Sequence, residues 1–249
     1  LDQNLSGILA GIDARIGTAD IGLGGGYSHS HANQRTSVAK GGNGYIAVYG
    51  GWADGAIALR AGATYGWGNR EILRTVVFPG FAETLTSKED QHASQVFGEI
   101  AYAANMEQLS LEPFAGITWG DASTGPFAEQ GGAAALSGKG GDTSLAFSSL
   151  GLRLAATPVG AGALFVTPRA SLAWQHAFGG LHPGQTLTFE GTGQSFLALG
   201  SVVDTDSANV ALGFDAQIGT GATLSLGYEG ILSSRVRLNT LHAGLNWDF

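Results

Sequence analysis

The chain has 249 residues, of which 44% are hydrophobic and 13% are charged, with 41 glycines and no cysteine. A formal net charge of −8 argues against nucleic-acid binding, which calls for a basic face. The sequence contains no run of about 18 apolar residues, so a helical membrane protein is excluded. The charged share is about half of the value usual in soluble domains, so something other than charge must cover the surface.

Alternation of apolar with small or polar residues predicts β-strands along the whole chain, with turn signals between them. In the first strand Ile8 and Ile12 lie on one parity, whereas Asp13 and Arg15 lie on the other. Each predicted strand therefore has an apolar face and a polar face. Eleven strands are predicted, near residues 8–16, 20–28, 44–52, 57–67, 95–103, 109–120, 147–156, 163–175, 208–218, 222–230 and 237–249.

The two faces carry different side chains, and the aromatic residues indicate what each face meets. Charges fall on the polar parity alone: Asp13, Arg15, Arg60, Glu99, Glu112, Arg153, Arg169, Asp215 and Glu229. All the tryptophans fall on the apolar parity, at or near segment ends: Trp52, Trp67, Trp119, Trp174 and Trp247. A soluble sandwich, the alternative, would bury its largest rings mid-strand. Rings at segment ends are typical of interfacial belts, so we predict charges in a lumen and apolar residues in lipid.

Strands in lipid cannot leave an open edge unpaired, so they must close into a barrel. The fold class predicted is therefore all-β, a transmembrane antiparallel up-and-down β-barrel. The connections alternate in length, which predicts their sides: short turns lie in the periplasm and long loops outside the cell. Short links fall near 17–19, 53–55, 104–108, 157–162 and 219–221, and long ones near 29–43, 69–94, 121–146 and 179–207. The C-terminus is then periplasmic, in the outer membrane of a Gram-negative bacterium.

The strand count predicts that one strand is missing. Single-chain bacterial barrels have an even number of strands, whereas this sequence shows eleven. We therefore expect a twelve-stranded barrel, with residues 1–249 as a single, N-terminally truncated domain whose first strand precedes residue 1. The strands at 8–16 and 237–249 should then leave a gap between them, or close under strain.

The last strand carries a more specific motif. It contains Gly244, Trp247 and a terminal Phe249 on an alternating segment. This pattern resembles the β-signal that is read by the outer-membrane barrel assembly machinery. The alternative is an ordinary final strand that ends in phenylalanine.

Eight motifs, in order, resemble one family over nearly the whole chain. They are AVYGGW at 47–52, ALRAGATYGW at 58–67, FPGF at 78–81, FGEIAY at 97–102, LEPFAGITW at 111–119, QGGAAAL at 130–136, SSLGLR at 148–153 and TPRASLAWQHAFG at 167–179. As an ordered set they resemble the autotransporter β-domain of type V secretion. The sequence departs from that family in lacking the linker helix and the first strand.

The resemblance implies a secretion function. A twelve-stranded translocator would remain in the outer membrane while an N-terminal passenger reaches the cell surface. The partners implied are outer-membrane lipid, the barrel assembly machinery, and the protein's own passenger segment and linker helix in the lumen; a monomer and no nucleic acid are expected. The alternative is a free-standing outer-membrane barrel that acts as a porin, adhesin or membrane enzyme.

No catalytic residue, cofactor or metal is predicted. Self-cleavage of the passenger linker by lumen carboxylates is left open, against the alternative that these acids pair with the lumen arginines. His29 and His31 could bind a metal, although a solvated loop is the simpler interpretation. A Ser-His-acid lipase using His242 would need a nucleophile, and no G-x-S-x-G elbow is present.

Overall fold

The computed structural model describes residues 2–162, 164–218 and 221–247. These residues contain no helix that is both long and apolar enough to cross a membrane. They form two antiparallel sheets. The strands are β1 (Asp2–Ile16), β2 (Ala19–Gln34), β3 (Ser37–Asp54), β4 (Ile57–Phe78), β5 (Phe81–Tyr102), β6 (Ala104–Asn105), β7 (Leu109–Thr124), β8 (Phe127–Ala128), β9 (Leu136–Gly138), β10 (Gly141–Ala156), β11 (Val159–Ala161), β12 (Leu164–Gly179), β13 (Gly184–Phe189), β14 (Ser195–Leu199), β15 (Asp206–Ile218), β16 (Ala222–Ser233) and β17 (Arg237–Trp247).

The main sheet is a meander in which each long strand pairs with the next long strand along the chain. Its order is β1, β2, β3, β4, β5, β7, β10, β12, β15, β16 and β17, with the short strands β6 and β11 paired to β7 and β12. These eleven long strands confirm the eleven predicted from alternation. The all-β, antiparallel, up-and-down fold class is confirmed with them.

The main sheet is open at both edges within the described residues. Strand β1 pairs only with β2, and β17 pairs only with β16. Every residue in both edge strands is exposed. Asp2 and Trp247 lie at opposite ends of the sheet, because Asp2 lies opposite Asn33 near a long hairpin whereas Trp247 lies opposite Ala222 near a short turn. The two edge strands therefore run in the same direction, from the long-hairpin end to the short-turn end. The prediction that the C-terminal Phe249 lies in the periplasm concerns a residue outside the described ones.

Glycine sets two of the tight turns. Strands β3 and β4 are joined by Gly55 and Ala56, and Gly55 has a φ of 59°. Strands β4 and β5 are joined by Pro79 and Gly80, where the φ of 83° at Gly80 suits a type II turn with proline before glycine. A side chain with a Cβ would be strained at either glycine.

Two of the four long loops predicted from sequence are β-strands in the structure, so those two predictions are wrong. Residues 29–43 continue β2 and β3 to a two-residue turn at 35–36. Residues 69–94 continue β4 and β5, which are 22 residues each, up to the paired Phe78 and Phe81. Both segments are rich in polar residues on both parities, so they lack the alternation by which the other strands were found.

The other two predicted loops are partly structured. Residues 125–140 contain β8 and β9, and residues 180–205 contain β13 and β14. These four short strands form the second sheet, in the order β14, β13, β9 and β8. A bridge between Thr86 and Gln130 links this sheet to β5. We call the second sheet the cap.

Several glycines of the main sheet lie beneath aromatic rings of a neighbouring strand. A Cβ at Gly22 would overlap the ring of Tyr49, and one at Gly151 would lie 2.5 Å from Cζ of Phe114. At Gly22 the group that approaches is a side chain of the neighbouring strand, because a ring can lie flat only where the opposing residue has no Cβ.

Candidate functional site

The pairing register places the nine charged residues singled out from sequence on one face of the main sheet. Directly paired residues of antiparallel strands share a face, as do residues two apart on one strand. Arg60 lies opposite Glu99, and Glu112 lies opposite Arg153. Following the register outward from these pairs gives one surface, which we call the inner face; it includes all nine predicted charges, Asp13, Arg15, Arg60, Glu99, Glu112, Arg153, Arg169, Asp215 and Glu229.

Contacts between strands that are not neighbours indicate that the inner face is concave. Arg60 on β4 reaches over β5 to Glu112 on β7, with an Nη2 to Oε2 distance of 2.9 Å. Gln91 on β5 reaches over β4 to Asn43 on β3, at 2.5 Å. Strands two apart are separated by roughly 9–10 Å, so these side chains must lean together over the intervening strand. A cavity of about 460 Å³ opens on the same face.

The centre of the inner face is an ion-pair cluster that spans four strands. Arg60 and Arg153 each donate hydrogen bonds to both Glu99 and Glu112, over 2.5–3.0 Å. The glutamates are 13% and 17% exposed and the arginines 39% and 37%. The Arg153 guanidinium also lies 3.9 Å from the ring centroid of Phe114. We call these four charged residues the quartet.

The hydrogen bonds of the quartet favour a fixed arrangement of its four side chains rather than proton transfer. Each carboxylate accepts hydrogen bonds from two guanidinium groups, which keeps its oxygens occupied by cations that cannot release a proton. The geometry therefore offers a rigid polar patch with two partly exposed guanidinium groups.

The remaining inner-face charges are grouped less tightly. Arg169 pairs with Asp215, which also accepts a hydrogen bond from Ser225 Oγ at 2.7 Å. Arg15 pairs with Asp20 at 2.8 Å, a partner that sequence reasoning did not identify. Asp13 and Glu229 have no ion-pair partner among the residues that the structure describes.

The opposite face, which we call the outer face, carries exposed apolar side chains. Ile117, Leu150 and Leu172 are 63%, 60% and 59% exposed there. The prediction that charges avoid this parity is wrong at Arg237, which shares the face of Trp247 at the start of β17. The five tryptophans of the predicted belts share this face, with Trp52 and Trp247 near the short-turn end and the others nearer the long-hairpin end: Trp67, Trp119 and Trp174. A large apolar surface in contact with solvent would be unstable in water, so this face needs an apolar environment.

Beyond the tryptophans, the inner face continues along the β4–β5 hairpin with charges that sequence reasoning missed. Arg70 pairs with Glu89, and Arg74 binds Glu129 through two hydrogen bonds of 2.8 and 2.5 Å. Residues 70 and 74 have the same parity as Arg60. Extending that parity past Trp67 would have located them, had residues 69–94 been interpreted as strands.

The cap is anchored to this same side of the hairpin. Glu83 accepts hydrogen bonds from the backbone N–H groups of Ala133 and Ala134, both at 2.9 Å. Leu85 and Leu136 are buried in the contact, and Leu85 is fully inaccessible. The segment between β8 and β9 therefore packs on the concave side of the hairpin, over the mouth of the inner face.

A second contact joins two connections at the long-hairpin end of the sheet. Asp204 accepts hydrogen bonds from Ser234 Oγ and from the backbone N–H of Arg235, both at 2.8 Å. The hydroxyl groups of Ser233 and Ser234 and the backbone and side chain of Arg235 hold the pKa of Asp204 well below its ordinary value. The carboxylate thus ties the connection before β15 to the turn between β16 and β17.

The histidines and the C-terminal motif are placed as follows. His29 and His31 lie within β2 on the outer face, not at a loop entrance, and His242 lies on β17 over Gly227. The described residues contain no cluster of three or more potential metal ligands. Gly244 and Trp247 lie on β17, whereas Phe249 is outside the described residues.

Three comparisons bear on the identity of this sheet. A family model of the autotransporter β-domain matches residues 1–229. An extracellular serine protease of Serratia marcescens is 35% identical over 245 residues, which is 98% of this chain and 23% of that protein. A second extracellular serine protease of the same organism is 33% identical over the same shares. The chain spans about a quarter of the length of these relatives.

Solved structures agree on the fold. The translocator domain of the autotransporter NalP from Neisseria meningitidis gives a TM-score of 0.81 at 16% identity, over 99% of this chain and 82% of that one. The β-domain of the Bordetella autotransporter BrkA gives 0.70 at 20% identity, over 99% and 92%. The transport unit of AIDA-I from Escherichia coli gives 0.62 at 12% identity, over 99% and 81%. With the family match over most of its length, the chain belongs to the autotransporter β-domain family, the outer-membrane translocators of passenger domains.

Proposed function

We propose that the inner face lines the path by which the passenger's linker crosses the outer membrane. The observation that carries this proposal is the segregation of charge: nine charges, including the quartet, lie on the inner face, whereas Ile117, Leu150 and Leu172 on the outer face of the same strands are apolar and exposed. A polypeptide in transit carries unpaired backbone groups and side-chain charges. It needs a hydrated polar surface, which the quartet and the Arg169–Asp215 pair supply.

The orientation follows from the same geometry. The long hairpins and the cap share one end of the sheet, and the turns at 17–18 and 55–56 lie at the other. Outer-membrane barrels keep short turns in the periplasm, so we place the cap outside the cell. The outer face then contacts lipid, with the tryptophans at its two borders. We also propose that the domain is a monomer and that the last strand is read by the barrel assembly machinery.

The barrel itself is proposed to have no enzymatic activity. Glu99 and Glu112 are each held by two arginines and Asp215 by one, which disfavours their use as a general base. Glu229 lies apart from these groups, and no described residue on the inner face forms a nucleophile–base pair with it. Any protease activity would lie in the passenger, since the Serratia relatives are extracellular serine proteases of which this chain matches only 23%.

Matched neighbours on β12 test the path. A photo-reactive amino acid is placed either at Ser171 on the inner face or at Leu172 on the outer face, in the full-length protein with its passenger. During export, the reagent at Ser171 should form a cross-link to the passenger and that at Leu172 should not. Equal cross-linking from both positions, or none from Ser171, would refute a path along the inner face.

Epitope tags test the orientation. A tag inserted at the 35–36 turn should be accessible to antibody on intact cells. A tag at the 17–18 turn should become accessible only after the outer membrane is permeabilised. The reverse result would invert the proposed topology.

A further inference from the structure

Strand β14 is the free edge of the cap. It pairs with β13 on one side, and no described strand pairs with its other side. An unpaired edge presents a row of N–H and C=O groups that can template another strand. Native proteins usually protect such edges with charges, prolines or bulges. The sequence of β14, SFLAL, contains none of these charges or prolines.

The direction of the free backbone groups follows from the hydrogen-bond alternation. Phe189 N–H donates to Gln194 O at 2.9 Å, and Gly200 N–H donates to Pro183 O at 2.8 Å. Hydrogen-bonded and non-hydrogen-bonded pairs alternate along an antiparallel ladder, so odd-numbered β13 residues bond to β14. Leu197 and Leu199, which oppose the even residues Thr186 and Gly184, therefore direct their N–H and C=O groups away from β13.

The side chains at this edge are apolar and exposed. Leu197 and Leu199 are 64% and 76% exposed and lie on one face of the cap, while Phe196 on the other face packs against Phe189 with ring centroids 5.4 Å apart. An added strand would gain backbone hydrogen bonds to β14. It would also gain apolar contacts at alternate residues.

The position of the cap indicates which strand would be added. The cap packs on the concave side of the β4–β5 hairpin, at the end of the sheet where the proposed path opens. A passenger leaving that path would emerge next to the cap, of which β14 is the free edge. The matched region is 23% of the length of the relatives, which extend far beyond it. A long passenger is therefore the polypeptide most available to pair with this edge.

We propose that β14 is a docking edge for an extended segment of the protein's own passenger, with apolar residues at alternate positions, during export. This inference rests on the proposed function. The edge receives the emerging segment as an additional strand of the cap.

The experiment uses the full-length protein with p-benzoyl-phenylalanine at Leu199. It is compared in three backgrounds: the unchanged chain, Leu197→Pro and Leu197→Val. Proline removes the outward N–H of residue 197 without touching a hydrogen bond to β13, because prolines are tolerated at strand edges whose N–H faces solvent. Valine keeps the N–H and an apolar side chain. Protease resistance of residues 180–205 checks that the cap is folded in each background.

The unchanged chain and Leu197→Val should cross-link to the passenger during export. In Leu197→Pro the cross-link should fall by about three- to tenfold, the effect of about one hydrogen bond. Equal cross-linking in Leu197→Pro, cross-linking to a second copy of the chain, or no cross-link to the passenger would overturn the docking edge. If the photo-reactive residue at Ser171 still cross-links to the passenger in that case, only the docking edge is refuted. If Ser171 also gives no cross-link, the proposed path along the inner face is refuted as well.

Discussion

The two halves of β4 have the same backbone structure and different surroundings. From residues 57 to 67 the outer positions are Leu59, Tyr65 and other apolar side chains, opposite the charged Arg60. From residues 68 to 78 the outer positions include Asn69 and Glu71 as well as Leu73, and both faces mix charged with apolar residues. Pairing with β5 is unbroken through both halves. The alternation of apolar and polar residues therefore indicates that the two faces of a strand contact different surroundings. It is lost where both faces contact water.

The two halves also differ in what stabilises them. In the first half, which with the strands beside it we call the wall, the inner face is tied across four strands by the quartet and the outer face is the one that we propose contacts lipid. In the hairpin extension, stability comes from the cap, through Arg74, Glu83 and the buried Leu85. A charged side chain on a lipid-facing surface is destabilising, whereas the outer face of the hairpin extension, residues 68–78 of β4, should tolerate charged substitutions. Four predictions test this contrast.

The largest effect is expected from a charge on the lipid side of the wall. Leu172→Arg should destabilise the folded barrel by about 2–4 kcal/mol, because the guanidinium would sit in hydrocarbon. Ser171→Arg, one residue away on the inner face, should cost much less. Urea unfolding of both variants in lipid vesicles measures the difference. A similar loss in both would mean that the two faces of the wall do not meet different solvents.

The next effect is expected at the quartet. Arg153→Ala should lower the free energy of unfolding by about 1–3 kcal/mol, since two glutamates lose a partner and Phe114 loses a cation contact. Arg169→Ala removes one ion pair from a side chain that is 61% exposed, so its cost should stay within about 1 kcal/mol. The same unfolding assay compares them. Equal losses would show that the quartet is no more than a set of surface pairs.

A local effect is expected in the hairpin extension. Arg74→Ala should loosen the cap, because Glu129 and the carbonyl of Ala134 lose their donor, at a cost of about 1–2 kcal/mol. Glu71→Gln, on the outer face of the same strand, serves as the control. Limited proteolysis of the 125–140 segment should accelerate in Arg74→Ala alone. Unchanged cleavage in that variant would remove the ion pair as an anchor of the cap.

The smallest effect is expected from pH at Asp204. Its folded pKa is depressed, so its contribution to stability is complete above the unfolded value of about 3.9 and is lost as the pH falls through the folded pKa. Protection of the Arg235 amide against hydrogen exchange should therefore be constant at neutral pH and decline below about pH 4. In Asp204→Asn this amide should be less protected at pH 7. A decline beginning near pH 6 would point to a different group.

Sequence patterns located all eleven long strands, because a strand with lipid on one side and a polar lumen on the other must alternate. Parity also assigned Arg60 and Glu112 to one face and Leu59 and Ile117 to the other. The register confirms this assignment. The same reasoning mistook residues 69–94 for a loop, since water on both faces leaves no period to detect.

The sequence by itself determined the fold class, the strand number and the two chemically distinct faces, all of which follow from residue types at a spacing of two. Only the tertiary structure decided which charges meet. The quartet joins Arg60 to Glu112 across an intervening strand, Arg74 meets Glu129 from a separate connection, and Asp204 meets Arg235. These contacts depend on the curvature of the sheet and on the inward packing of the cap, and neither leaves a periodic signal in the chain.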